Sequence, residues 1–281
     1  MNASSTDQYA VAGYPVSHSK SPFIHAMFAA QTGQDLYYDR LEVAPDDFTR
    51  VVGEFFASGG KGLNITVPHK QTAWQLADRH APNAALAGAV NTLYMQGGDL
   101  VGDNTDGVGM VRDIEQNNGG RLKGADIVIL GAGGAVRGVI PRLLEAEPST
   151  ITIVNRTVAR ATALAELFAG VVAIDVCSYD QLNSRPQSAV DWVINGSAAG
   201  LQGELPVLPD SLIGPTTGCY DMVYAPGGTV FQQWARSRGA AFALDGTGML
   251  VEQAAESFRI WRGVMPSTGP VLKALRAELG L

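Results

Sequence analysis

The chain has 281 residues, of which 46% are hydrophobic, so it is long enough for two modest domains. Its formal net charge of −7 and the absence of any lysine and arginine run argue against nucleic acid or an anionic membrane surface as partner. No apolar run reaches the length of a membrane span, and the polar start MNASSTDQ lacks the features of a secretory signal. We therefore expect a cytoplasmic protein.

The cysteines and histidines show no metal-binding pattern. Cys177 and Cys219 are far apart, fit no C-x-x-C motif and lie in apolar, strand-like segments, which predicts buried thiols. The four histidines show no H-E-x-x-H or comparable spacing. We therefore predict that the protein holds no metal.

The first region, residues 9 to about 106, alternates short apolar strands with helical patterns, which is typical of an α/β fold. Helices are predicted from Pro22, over residues 48–56 and around Trp74. The predicted strands are YAVAG, LYYDRLEV, GLNITV and AVNTLYM.

Two serines lie at the start of the first predicted helix. Pro22 suits the first position of a helix and Ser21 suits its N-cap, while Ser19 stands two residues earlier. Two hydroxyl groups beside a helix N-terminus can bind a small carboxylate. The alternative is plain capping by Ser21 and a surface position for Ser19.

The segment NITVPHK brings polar side chains and a lysine to the end of a strand. Alternation directs Asn64 and Thr66 to one face of the strand and Ile65 and Val67 to the other, and a helix begins near Lys70. Lysine is electrostatically unfavourable in the first turn of a helix, so Lys70 is a candidate for proton transfer. The alternative is a solvated surface lysine.

Two further polar residues are candidates for the same group. Asn91 interrupts the apolar segment AVNTLYM, so it is either a satisfied core amide or a substrate contact. In DNTDG, Asp106 or Thr105 suits the cap of the next helix. Alternatively, Asp106 is the carboxylate partner that keeps Lys70 charged and oriented.

The second region, residues 107 to about 244, contains six predicted strands and suits a doubly wound Rossmann-like sheet. These strands are ADIVIL, TITIVN, GVVAIDV, VDWVIN, GCYDMVY and AAFAL. A helix over residues 249–261 and a last helix ending near Leu279 follow, and we expect both to pack back on the first region. The predicted domains are residues 1–106 with 246–281, and residues 107–245.

A glycine turn follows the first strand of the second region. Residues 127–130 form an apolar run, and GAGGAVRG then predicts a tight turn into a helix. Backbone N–H groups at a helix N-terminus favour a pyrophosphate, which predicts a dinucleotide site. Its residues are Gly131, Ala132, Gly133, Gly134 and Ala135, with Val136 in place of the third glycine of G-x-G-x-x-G.

The end of the second strand of this region indicates which dinucleotide binds. A NAD site has Asp or Glu here, but this chain has Asn155, Arg156 and Thr157, with Arg160 one helical turn later. An acid would repel a 2′-phosphate, whereas guanidinium and hydroxyl groups bind one. We therefore predict NADP rather than NAD as the cofactor.

Two residues near the C-terminus are further candidates. Tyr224 closes the segment CYDMVY, where its ring could stack or its hydroxyl could donate a hydrogen bond. Gln253 lies among small residues in VEQAAESF, which let a ligand or another helix approach; a helix-surface amide is the alternative.

Eight motifs in order give the chain a resemblance to one family from end to end. They are GYPVSHSKSP, GLNITVPHK, GAVNTL, GDNTDGVG, GAGGAVRG, NRTVAR, CYDMVY and DGTGMLVEQAAESF. The chain thereby resembles the bacterial NADP-dependent shikimate dehydrogenases. The resemblance implies reversible reduction of 3-dehydroshikimate to shikimate with NADPH, in chorismate and aromatic amino acid biosynthesis.

The resemblance also implies roles for individual residues. Lys70 and Asp106 would be the catalytic pair, and Ser19 and Ser21 would bind the substrate carboxylate. The substrate ring and its hydroxyls would be held by Asn64, Thr66, Asn91, Tyr224 and Gln253. The cofactor's 2′-phosphate would be bound by Asn155, Arg156, Thr157 and Arg160, and its nicotinamide would lie near Met222, Gly246 and Met249.

Two departures from the family pattern stand out. The family usually has Asn-Ala-Thr where this chain has Asn195-Gly196-Ser197, and a smaller residue where it has Val136. We expect a small effect at each. Three alternatives stay open: a quinate/shikimate dehydrogenase using NAD, a non-catalytic NADP and ligand sensor, and a related two-domain reductase of folate or glutamyl substrates. We expect a monomer or a homodimer.

Overall fold

The computed structural model describes residues 6–170, 172–184, 188–197, 199 and 204–281, and its strands form two six-stranded sheets. The first sheet has the order β2-β1-β3-β5-β6-β4. Its strands are β1 (Asp7–Gly13), β2 (Leu36–Glu42), β3 (Gly62–Ile65), β4 (Arg79–His80), β5 (Thr92–Gln96) and β6 (Asp99–Asp103).

The first sheet is mixed rather than fully parallel because of the direction of strand β5. It runs antiparallel to both β3 and β6, whereas β1 pairs in parallel with β2 and β3. Strands β4 and β6 are absent from the sequence prediction, since β4 has two residues and β6 (DLVGD) is acidic at both ends. The helices around this sheet are α1 (Ser21–Thr32), α2 (Phe48–Ala57), α3 (Lys70–Leu76), α4 (Pro82–Ala87) and α5 (Asp106–Arg112).

The second sheet is entirely parallel and has the doubly wound order β12-β11-β10-β7-β8-β9. All six predicted strands are present, although β9 is shorter than predicted and Val171 lies outside the described residues. The strands are β7 (Asp126–Leu130), β8 (Thr150–Val154), β9 (Asp175–Cys177), β10 (Trp192–Asn195), β11 (Gly218–Asp221) and β12 (Phe242–Leu244). The helices are α6 (Gly134–Glu145), α7 (Val158–Glu166), α8 (Tyr179–Ser184) and α9 (Val230–Ser237).

The last two helices, α10 (Thr247–Arg262) and α11 (Thr268–Leu279), pack on α1 of the first region, as predicted. Their shared core contains Phe28 of α1, Phe258 of α10 and Val271 of α11, each fully buried. The aromatic rings of Phe28 and Phe258 meet edge to face at a centroid distance of 5.7 Å. The two-domain α/β fold with returning C-terminal helices is therefore confirmed.

Helix α5 lies between α6 and α10, and glycines allow this close packing. A Cβ at Gly107 would lie 3.1 Å from the carbonyl oxygen of Val139, and one at Gly109 would lie 2.6 Å from that of Met249. The predicted boundary between residues 106 and 107 falls inside the first turn of this helix. The exact division into domains stays a prediction.

The sheet directions bring three chain segments together at one cleft. Because β5 is antiparallel to its neighbours, its amino end lies beside the carboxyl ends of β3 and β6. Asn91, which was predicted inside a strand, directly precedes β5 at this end. The carboxyl ends of β3 and β7 face the same cleft, since Gln71 and Gly133 line one cavity of about 370 Å³.

Candidate active site

Lys70 and Asp106 form an ion pair next to Gln71, which lines the cleft. Lys70 is the first residue of α3 and Asp106 is the first residue of α5. The distance from Lys70 Nζ to Asp106 Oδ2 is 2.5 Å, and the side chains are only 16% and 7% exposed. No side-chain hydrogen bond caps the start of α3 or of α5. The Asp106 carboxylate therefore pairs with Lys70 and does not cap α5. The carboxylate offsets the unfavourable position of a cation at a helix N-terminus.

The amide of Asn91 fixes the other oxygen of Asp106. Its Nδ2 donates to Asp106 Oδ1 at 2.9 Å, to Thr105 Oγ1 at 2.9 Å and to Gln253 Oε1 at 3.3 Å. Its Oδ1 accepts a bond from the Thr105 backbone N–H at 2.8 Å. Both oxygens of Asp106 are therefore engaged, which holds the Lys70 ammonium in one direction.

Asn64 extends the same network into the core. The Tyr38 hydroxyl donates to Asn64 Oδ1 at 2.7 Å, and Asn64 Nδ2 donates to Ser257 Oγ at 2.9 Å and to Thr92 Oγ1 at 3.2 Å. Asn64 is thus a buried and satisfied amide. Thr66, by contrast, is half-buried.

The strand β3 ends earlier than its sequence predicts. Ile65 is its last residue, so Val67 does not share the buried face and is 60% exposed. The alternation is interrupted because Val67 and Pro68 already belong to the turn that leads into α3. Lys70 begins α3 as predicted.

The two serines lie together at the start of α1. Their Oγ atoms are 3.2 Å apart, and the Ser21 backbone N–H donates to Ser19 Oγ at 3.3 Å. The prediction that Ser21 is the N-cap was wrong: Lys20 holds that position, because the backbone of Ser21 is already helical. The guanidinium of Arg40 donates two hydrogen bonds to the carbonyl oxygen of Ser19, which fixes the loop.

Gln253 joins the network and Tyr224 stands apart from it. Gln253 Nε2 donates to the Leu250 carbonyl at 2.9 Å, while its Oε1 accepts from Asn91 and Thr105. Tyr224 lies three residues beyond β11 and is half-buried, and burial raises the pKa of its hydroxyl. No hydrogen bond joins it to this network within the described residues.

Sequence reasoning missed three residues of the network, Ser257, Tyr38 and Thr92. Ser257 Oγ is hydrogen-bonded to Asn64, Thr92 and Thr105. Ser257 lies one helical turn after Gln253, so its i, i+4 spacing from that residue was the signal available in the sequence.

His25 stacks on Tyr38 with a centroid distance of 4.1 Å. Burial lowers the pKa of His25 to about 3, so its ring is neutral at pH 7.

The glycine turn at the end of β7 has room for a phosphate group. Gly131 has a φ of +103°, and a Cβ there would lie 3.0 Å from the backbone of Ser197. A Cβ on Gly133 or Gly134 would meet nothing within 4 Å. The turn, which includes Ala132 and Ala135, therefore presents open backbone at the N-terminus of α6.

The two departures from the family pattern contact each other. A Cβ at Gly196 would clash with Val136 Cγ2 and would lie 2.8 Å from Met222 Sδ. The fully buried Val136 therefore occupies space that an alanine at position 196 would need. The Ser197 hydroxyl donates a hydrogen bond to Asn195 Oδ1 at 2.7 Å. The serine therefore provides a hydroxyl at the position where the family usually has threonine.

The end of β8 presents cations and no carboxylate. Arg156 and Arg160 are exposed, Thr157 is the N-cap of α7, and Asn155 Nδ2 donates to the Thr157 carbonyl at 2.8 Å. Among the described residues, neither arginine pairs with an acid. Open glycine backbone beside two unpaired arginines fits a dinucleotide that carries a 2′-phosphate.

Met222, Gly246 and Met249 lie at the end of the second sheet that faces α5. The Met222 backbone N–H donates to the Asn195 carbonyl at 2.9 Å, and a Cβ at Gly246 would clash with the Met222 carbonyl oxygen. Met249 follows in the first turn of α10 and is nearly buried. Met222 therefore contacts Gly246 and lies beside Gly196, which is in contact with the glycine turn at Gly131.

The sequence matches three family descriptions along its length. They are "Shikimate dehydrogenase substrate binding domain" over residues 11–93, "Shikimate / quinate 5-dehydrogenase" over 113–201 and "Shikimate 5′-dehydrogenase C-terminal domain" over 246–276. A protein named shikimate dehydrogenase (NADP⁺) from Alkalilimnicola ehrlichii is 59% identical over 97% of this chain and 100% of its own. The chain belongs to the shikimate dehydrogenase family.

Two solved structures are similar to this chain over nearly its full length. An Ael1 enzyme from Pseudomonas putida is 42% identical, with a TM-score of 0.87 over 96% of this chain and 98% of its own. Shikimate 5-dehydrogenase from Thermus thermophilus, solved with NADP(H) and shikimate, is 32% identical, with a TM-score of 0.84 over 97% and 100% of the two chains. The relation to the shikimate dehydrogenases thus covers both sheets.

Membrane spans and metal clusters are both absent from the described ranges of this shikimate dehydrogenase family member. Within those ranges, no helix has both the length and the apolar character needed to cross a membrane. The same ranges contain no group of three or more His, Cys, Asp or Glu side chains placed to hold a metal ion. Both cysteines are buried in the second sheet.

Proposed function

We propose that this chain catalyses the reversible, NADP-dependent reduction of 3-dehydroshikimate to shikimate, in chorismate and aromatic amino acid biosynthesis. The observation that carries the proposal is the Lys70–Asp106 ion pair, held by buried amides in the cleft that the glycine turn also faces. A group that can give or take a proton therefore lies next to a dinucleotide site, which an alcohol dehydrogenase requires.

Lys70 is the proposed acid. NADPH supplies a hydride to the ring ketone when it is bound. As negative charge develops on the ketone oxygen, the Lys70 ammonium donates a proton to that oxygen, and in the reverse direction the neutral amine takes it back. Asp106 keeps the ammonium aimed at the substrate, since its second oxygen is fixed by Asn91.

The substrate is proposed to bind on the side of the first sheet. The hydroxyls of Ser19 and Ser21, which lie side by side, bind its carboxylate and so set the distance of the ring from Lys70. Asn64 supports the groups that contact the substrate, because its own polar atoms are already bonded within the protein. The groups proposed to hold the ring and its hydroxyls are Thr66, Asn91, Tyr224 and Gln253, with Asn64 in support.

The cofactor is NADP, and its proposed site lies along the second sheet. The backbone of Gly131, Ala132, Gly133, Gly134 and Ala135 would hold the pyrophosphate. The 2′-phosphate would be bound by Asn155, Arg156, Thr157 and Arg160, and the nicotinamide would lie against Met222, Gly246 and Met249. A cytoplasmic location and a monomeric or homodimeric state complete the proposal.

Initial rates of nicotinamide reduction test this function. Purified protein is assayed with shikimate or quinate, each with NADP⁺ or NAD⁺. We expect fast turnover only with shikimate and NADP⁺. A preference for quinate or NAD⁺ would assign the quinate/shikimate alternative, and NADP⁺ binding without turnover on any pair would assign a sensor.

A further inference from the structure

The cavity beside the glycine turn has polar groups on both of its walls. One wall carries the turn and Arg160, together with Arg137, and the opposite wall carries Gln71 from the first sheet's side of the cleft. No carboxylate lines this cavity of about 370 Å³ among the described residues. Such a lining suits a polyanion that reaches both walls.

Arg137 is the fourth residue of α6 and lies just behind the glycine turn. Its Nε donates a hydrogen bond to the carbonyl oxygen of Ala87, the last residue of α4, so the side chain crosses the cleft. Burial lowers the pKa of the guanidinium, and among the described residues it pairs with no carboxylate. The Ala87 carbonyl engages one of its five N–H donors, which leaves others for an anion.

Gln71 stands on the opposite wall and directly follows Lys70 on α3. Its side chain is exposed to the cleft, and its amide makes no hydrogen bond to the described residues. Gln75, one helical turn later, lines only the neighbouring cavity of about 420 Å³ and not the one that contains the glycine turn. Gln71 thus lines both cavities, whereas Gln75 lines only the one without the glycine turn.

We propose that Gln71 and Arg137 bind the pyrophosphate of NADP from across the cleft, together with the glycine turn. This inference rests on the proposed NADP site and adds to it a contribution from the first sheet's side. Because Gln71 is adjacent to Lys70, cofactor binding then holds the start of α3 against the cofactor. Gln71 and Arg137 therefore act as cofactor-binding residues on the two sides of the cleft.

The matched glutamines provide the main test. The dissociation constant of NADP⁺ is measured by titration calorimetry on the full chain without substrate, for wild type, Gln71→Ala and Gln75→Ala. We expect Gln71→Ala to weaken binding about 2- to 10-fold, the range of one hydrogen bond, and Gln75→Ala to leave it within error. Equal affinity of Gln71→Ala and wild type, or equal losses in both variants, would overturn the proposal.

A truncated ligand shows which part of the cofactor is contacted. Adenosine 2′-monophosphate lacks the pyrophosphate, so Gln71→Ala and Arg137→Gln should bind it as wild type does, while Arg137→Gln weakens NADP⁺ binding about tenfold or more. Losses of the same size for both ligands would overturn a pyrophosphate contact. If wild type itself binds no NADP⁺, the proposed function fails as well, whereas normal wild-type binding with an unaffected Gln71→Ala refutes only this inference.

Discussion

The two sides of the cleft differ in how far their polar groups are already paired. On the substrate side, Asn64 and Asn91 are buried, and their amides are bonded to protein groups around the Lys70–Asp106 pair. On the cofactor side, Arg156 and Arg160 are exposed and pair with no acid in the described part of the chain. The reacting group is therefore preorganised, whereas the cofactor site is completed only by its ligand.

This difference determines what a substitution costs. Removing a buried amide leaves its former partners unpaired in the core, so the free energy of unfolding falls along with turnover. Removing an exposed arginine leaves nothing unpaired in the free protein, so only ligand affinity falls. The following predictions test that contrast, from the largest effect to the smallest.

Lys70→Ala gives the largest expected effect. Turnover with shikimate and NADP⁺ should fall by about a hundredfold or more, a typical general-acid contribution, with a smaller change in KM. Lys123→Ala is the matched control, because Lys123 forms an exposed ion pair with Glu147 far from the cleft. A Lys70→Ala variant that kept most of its turnover would remove this residue from the chemistry.

Asn64→Ala tests whether the substrate side is a stability element. We expect the free energy of unfolding to fall by about 2 to 4 kcal/mol, because the buried hydroxyls of Tyr38 and Ser257 lose a partner. Asn155→Ala on the cofactor side should lose less than about 1 kcal/mol, since its one bond is at the surface. Urea titrations measure both, and similar losses would contradict the contrast.

Arg160→Ala tests the cofactor side. Its dissociation constant for NADP⁺ should rise about tenfold or more through loss of a charge-assisted contact to the 2′-phosphate, while its unfolding midpoint stays that of wild type. NAD⁺ lacks that phosphate and is the internal control. An equal loss of affinity for NADP⁺ and NAD⁺ would show that Arg160 does not bind the 2′-phosphate.

Gly196→Ala tests the contact between the two departures from the family pattern. The added methyl group would clash with Val136, so we expect a loss of about 1 to 3 kcal/mol in the free energy of unfolding. Adding Val136→Ala should recover part of this loss, although Val136→Ala alone destabilises the core. Strictly additive effects in this double-mutant cycle would mean that the two positions are independent.

The sequence predicts the second sheet better than the first for a physical reason. Buried parallel strands are continuous apolar runs, and all six were found, whereas β6 pairs through its backbone while carrying two acids and a glycine. The same limit applies to helix starts. Ser21 and Pro22 predicted a helix within one residue of its start, but not that Lys20 takes the cap position.

In the candidate site, too, some residues could be predicted from the sequence and others could not. Motifs predicted residues that follow strand ends, such as Lys70 and Asp106. The carboxyl ends of β3 and β6 lie on the same side of the sheet because both strands run antiparallel to β5. The role of Asn64 as a buried support depends on Ser257, which is 193 residues away in the chain. Likewise, the contact between Val136 and position 196 joins two segments that only the fold brings together.

Direct hydride transfer within one cleft is the central claim, and isotope labelling tests it most directly. The protein is incubated with 3-dehydroshikimate and NADPH deuterated at both C4 positions, and the shikimate formed is analysed by mass spectrometry. We predict one deuterium per product molecule, at the carbon that carried the ketone. Product without deuterium, or no product despite bound NADPH, would contradict the assignment of both sites to this cleft.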